Sequence, residues 1–102
     1  MDDNDVLLDW VEEIGGGYVW EDDVKAVTLM ETAIDAAQAR KLGRLRGVGQ
    51  LALDAERLSV DALRGLAAIE GLASLVLRNA ALSSDEVAGL AALGPEVEVV
   101  AE

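Results

Sequence analysis

Three copies of a 24-residue unit follow one another in this chain without a gap, and no other feature limits its fold so strongly. Val27, Leu51 and Leu75 stand 24 apart, as do Leu29, Leu53 and Leu77. Ile34, Leu58 and Leu82 repeat at the same interval, then Leu42, Leu66 and Leu90, then Leu45, Ile69 and Leu93. Of the 22 Val, Ile and Leu residues between Val24 and Pro95, 20 fall in seven such columns, and only Val60 and Val76 stand outside. A fixed period of this size marks a solenoid, in which each unit buries its apolar side against the next.

Within a unit the pattern changes period. Each copy opens on an apolar-x-x-apolar-x-apolar run: Val24 to Leu29, Val48 to Leu53, Leu72 to Leu77. Its last positions alternate, as in a strand with one buried side. After the Ile34, Leu58, Leu82 column comes a polar residue suited to cap a helix: Asp35, Ser59, Ser83. Apolar residues then recur every three positions, as in Leu63, Leu66, Ile69 and Val87, Leu90, Leu93, which predicts an amphipathic helix. Ser83 with Glu86 fits a capping box, and Ser59 with Asp61 a plain N-cap with an acid in the first turn. Gly47 and Gly71 stand where a helix must end. The expectation is α/β: parallel strands near 25–29, 50–54, 74–78 and 97–100, with helices of about three turns near 36–46, 60–70 and 84–93 outside them.

This pattern resembles the leucine-rich repeat family over roughly residues 24–100. It is most similar to a bacterial type whose unit reads L-x-x-L-x-L, five residues, then V-T-D-x-x-L-x-x-L-x-x-L. The third unit here stands as Leu72-x-x-Leu75-x-Leu77, then Leu82-Ser83-Ser84-Asp85-x-Val87-x-x-Leu90-x-x-Leu93. Trp10 to Gly17 followed by Tyr18-Val19-Trp20 is similar to the helix, glycine pair and strand that precede such repeats. The Asn that many members place in the turn has no counterpart here, since Thr32, Glu56 and Ala80 fall near its positions. The resemblance implies protein recognition on the strand side and brings no catalytic residues with it.

Residues 1–23 are expected to form an N-terminal cap and 24–102 the repeats, three full coils and a final strand, in one domain. Val6, Leu7, Trp10, Val11 and Ile14 recur at helical spacing, so Asp5 to Ile14 can lie over the first coil. Tyr18 and Trp20 share one side of the next strand, and both Trp residues are read as packing for the cap. Gly15-Gly16-Gly17 lacks the spacing of a phosphate loop and follows a helix, not a strand. At the other end Val97, Val99 and Val100 with Leu93 are left uncovered. They predict at most a weak homodimer through the C-terminal coil, opposed by charge and so tightened by salt.

Alternation also names the residues pointing away from the helices. They are Ala26, Thr28 and Met30; Gln50, Ala52 and Asp54; and Ser74, Val76 and Arg78, with Glu96 and Glu98 flanking. The expected protein-binding set is Thr28, Met30, Gln50, Ala52, Asp54, Ser74, Val76 and Arg78, centred on the small row Thr28, Ala52, Val76. Asp54 and Glu56 are read as ordinary solvated carboxylates. A second contact surface is offered by the basic run Arg40, Lys41, Arg44, Arg46 in the first unit's helix.

Composition narrows the function further. Twenty acids against eight bases give a formal charge of −12, which argues against nucleic acid and anionic membrane as partners. With no Cys and no His, thiolate chemistry, the usual zinc sites and the commonest general base are missing. No cofactor, no metal and no enzyme activity are expected. The acidic start Met1-Asp2-Asp3-Asn4-Asp5 is unlike a signal peptide, so a cytoplasmic protein is expected. Two Lys against six Arg, with abundant Ala, Leu and Gly, suits a GC-rich bacterial genome. The reading is a small acidic protein-interaction module. Its alternatives are a self-assembling structural subunit and an immunity or antitoxin-type protein that neutralises a basic partner.

Overall fold

A computed structural model describes residues 3–100. Helix α1 spans Asp3–Glu13, and strands β1 (Gly17–Trp20) and β2 (Lys25–Ala33) follow. Helices then alternate with strands: α2 (Ala36–Leu42), β3 (Gln50–Asp54), α3 (Val60–Ala67), β4 (Ser74–Arg78), α4 (Ser84–Ala91) and β5 (Glu96–Val100). The chain is an α/β protein built on one five-stranded sheet in sequential order β1-β2-β3-β4-β5. Its Cα radius of gyration, 12.4 Å, is what one folded unit of this length shows.

Residues one repeat apart lie side by side. Val27 pairs with Leu51 and Leu51 with Leu75, while Leu29, Leu53 and Leu77 form the next row, all in parallel register. These six side chains are buried, and with Leu42, Leu63, Leu66 and Leu90 they form a single core cluster. Aliphatic residues at a fixed interval stack because each strand presents its buried side to the same helices.

The sheet is mixed, so the short parallel sheet expected from the repeats is only one part of it. β1 runs antiparallel to β2, with Tyr18 opposite Val27 and Trp20 opposite Lys25. Only Glu21–Val24 separate the two strands, closed by a hydrogen bond from the Glu21 N–H to the Val24 carbonyl at 2.8 Å. A connection that short permits a hairpin and no crossover. Val24, first of its column, is accordingly 41% exposed, whereas its equivalents Val48 and Leu72 are buried.

The helices begin where expected and end early. Asp35, Ser59 and Ser83 cap α2, α3 and α4, and the Asp35 and Ser83 caps are reciprocal boxes with Gln38 and Glu86. Each helix runs two turns, not three. The next residues continue in tighter turns, with the Leu45 N–H bonding the Leu42 carbonyl and the Ile69 N–H the Leu66 carbonyl. Gly47 and Gly71 do take positive φ (82° and 85°), but beyond those turns and not at the helix ends.

The N-terminal segment is pinned from several sides. Leu7, Leu8 and Val11 enter the core, whereas Val6, read as part of the buried stripe, is exposed and Leu8 takes its place. Asn4 closes α1 onto the loop after α2, its side chain donating to the Arg46 carbonyl (2.7 Å) and accepting from the Arg46 N–H (3.0 Å). Trp10 and Trp20 pack against the core, and the Lys41 ammonium lies 4.6 Å from the Trp10 ring centre. The glycines before β1 are there for packing. A Cβ on Gly16 would meet Leu29, the Thr28 carbonyl (2.8 Å) and Val11 (2.8 Å), and Gly15 holds φ +96°.

Candidate functional site

The core cluster gathers the residues of one side of the sheet, and all four helices contribute to it or pack on its flank. The opposite side carries no helix among the described residues. Strand register arranges that open side in rows. The first runs Val19, Ala26, Gln50, Ser74, Glu96, and the second Gly17, Thr28, Ala52, Val76, Glu98. Thr28, Gln50, Glu96 and Glu98 are exposed, and Ala26, Ala52, Ser74 and Val76 are half-buried by their strand neighbours. Five of the eight expected contact residues (Thr28, Gln50, Ala52, Ser74, Val76) thus lie together on a surface of mostly short side chains.

The other three are engaged with the fold. Asp54 is only 9% exposed, so its reading as a solvated carboxylate does not hold. One oxygen accepts from the Glu56 N–H (2.9 Å), closing the turn after β3, and the other from the Asn79 amide (3.2 Å), one unit further on. Asn79 reaches it from a left-handed backbone (φ 59°), a conformation Asn adopts more readily than most residues. Arg78 crosses β3 to donate to the Met30 carbonyl of β2 at 3.4 Å. Asp54, Arg78 and Met30 therefore tie three strands together at the C-terminal end of the sheet. The turn has no Asn at Ala80, but Asn79 stands one residue earlier and bonds a side chain.

Val19 was missing from the expected face. It is 48% exposed and pairs with Ala26, so it extends the first row beyond the repeats. Only the direction of β1 decides on which side Val19 points, and two short strands with polar residues between them leave that direction open in the sequence. Tyr18, its neighbour, faces the helix side and meets Glu12 of α1; the Glu12 carboxylate, then partial burial, hold the phenol above its usual 10.0.

The described residues hold no group of three or more acidic, His or Cys side chains able to bind a metal. No described helix is long and apolar enough to cross a membrane. Set against protein-family models, curated proteins and solved structures, the chain finds no match in any of the three.

Proposed function

We propose that this chain is a small leucine-rich-repeat solenoid that binds a protein partner through its open sheet face, without catalysis or cofactor, in the cytoplasm. The observation that carries this reading is a helix-free sheet side whose first two rows hold mostly short side chains, with Val19 and Val76 apolar among them. Short side chains let a partner backbone approach, and an aliphatic without a core role gains by being covered. Repeat pairing at 24-residue intervals supports the solenoid part.

The partner that suits this face is basic. Glu96 and Glu98 end both rows and are exposed, in a chain with 20 acids and eight bases. Such a field raises encounter rates with a cationic protein more than it adds affinity. That is the chemistry of an immunity or antitoxin-type protein. The self-assembly reading rests instead on two exposed large aliphatics, Leu93 (49% exposed) just before β5 and Val99 (38%) on it.

The experiment is capture of a partner by the tagged chain from a lysate of its source cells, with two variants in parallel. Val76→Lys suits the position because Glu98 stands opposite it, so the new charge finds a partner in the sheet. The partner should stay with wild type and with Arg44→Gln and be lost with Val76→Lys at an unchanged melting temperature. Retention by Val76→Lys would place the contact elsewhere.

A further inference from the structure

The basic residues of this acidic chain are concentrated on the opposite side of the molecule. Arg40, Lys41, Arg44 and Arg46 fall in one stretch on and after α2, and of their side chains only that of Lys41 has a polar or ring contact among the described residues, over Trp10. Arg40, Arg44 and Arg46 are exposed and make no ion pair with any described residue. The ion pair nearby, Arg64 with Asp61 at 3.5 Å, lies within α3 and is solvent-exposed.

These arginines border a groove between α2 and α3. It consists of two adjoining cavities of about 350 and 460 Å³ that share Gly43, Arg44 and Gly65. The floor of the first cavity is small and apolar, with Ala39 and Ala62 beside the two glycines; the second is mostly polar, and Asp61 and Glu70 line the pair alongside the arginines. Gly65 sits inside α3, where glycine is a poorer helix former than alanine. It has no positive φ, and a Cβ there would meet nothing within 4 Å, so packing within the chain does not require it. Gly89, one unit on in α4, is equally open but lines neither cavity.

We propose that the α2–α3 groove docks a short acidic peptide segment. Carboxylates of the segment meet Arg40, Arg44 and Arg46, whose planar guanidinium groups bind them in two-point fashion, and its small apolar side chains lie on the glycine-alanine floor. A long polyanion such as nucleic acid fits less well, because the net charge of −12 repels it beyond the groove while a short segment feels mainly the local arginines. This site lies across the molecule from the open sheet face and does not depend on that reading.

Fluorescence polarisation at low salt tests it, with a fluorescein-labelled peptide that alternates Glu with Ala and Leu. Wild type should bind the peptide, and Arg40→Gln with Arg44→Gln should weaken binding about tenfold or more, the usual effect of losing charge-assisted hydrogen bonds. Gly65→Leu should block binding while its thermal melt stays equal or rises, which separates occupation of the groove from loss of the fold. The same peptide with Lys in place of Glu should not bind. Absence of binding by wild type, equal affinity in either variant, or tighter binding of an oligonucleotide of matched charge would each overturn the proposal.

Discussion

On β4, Leu75 and Leu77 are fully buried in the core, while Val76 between them faces away from every described helix. The same alternation on β3 separates Leu51 and Leu53 from Ala52. One side of the sheet holds large aliphatics in fixed columns, and the other holds mostly short or polar residues whose identities change from strand to strand. Stability needs the first set to be large and in register, because each truncation leaves a cavity that close-packed neighbours cannot fill. The second set is free of that demand, except where Asp54, Asn79 and Arg78 join strands by hydrogen bonds. A surface that the fold does not use is one that a partner can use.

The largest effect should come from the core side. Leu53→Ala should cost about 2–5 kcal/mol in a chemical melt, a large share of the stability of a domain this size. A loss near zero would mean that the column does not bear on the core. Next comes Gly16→Ala, whose Cβ would enter space held by Leu29, Val11 and the Thr28 carbonyl. Overpacking there should cost about 1–3 kcal/mol, read in the same melt; an unchanged midpoint would mean that the N-terminal segment can lift away freely. On the open side, Asp54→Ala should still cost about 1–3 kcal/mol, since it removes the carboxylate that accepts from the Asn79 amide and the Glu56 N–H. A neutral result would erase the distinction between the tied end of that face and its free rows.

How much of this was legible beforehand depended on spacing. The strands at 50–54 and 74–78 and the helix caps followed from local patterns, because alternation and cap chemistry are local. Helix length was overread because Leu45, Ile69 and Leu93 keep a three-residue spacing through turns with i→i−3 bonds, and that spacing suits a tight turn as well as a helix. Asp54 looked solvated because its partner Asn79 is 25 residues away in sequence. The need for Gly16 depends on a contact between α1, β2 and the loop between them, invisible in a run of three glycines. Of the candidate surfaces, the rows of small residues were legible from alternation, and the groove between α2 and α3 only through its arginines.

The smallest expected effect contrasts neighbours on β1. Val19 faces the open side, and Tyr18 faces Glu12 on the helix side. The Glu12 charge disfavours phenolate, so Tyr18 should ionise above 10.0, and Glu12→Gln should bring it back down. Because the folded value is raised, the linked stabilisation is complete at pH below 10.0 and fades as pH rises through the folded value. As the chain has one Tyr, ultraviolet difference spectroscopy reads it directly. Titration at the ordinary value in both proteins would remove the Tyr18–Glu12 contact.

The claim that the fold leaves the open face free is tested most directly by chemical denaturation of two variants at adjacent positions, Leu75→Ala and Val76→Lys. The first should lose about 2–5 kcal/mol, and the second should stay within about 0.5 kcal/mol of wild type with the same denaturant slope. A loss for Val76→Lys as large as that for Leu75→Ala would contradict the account, because the open face would then be part of what holds the protein together.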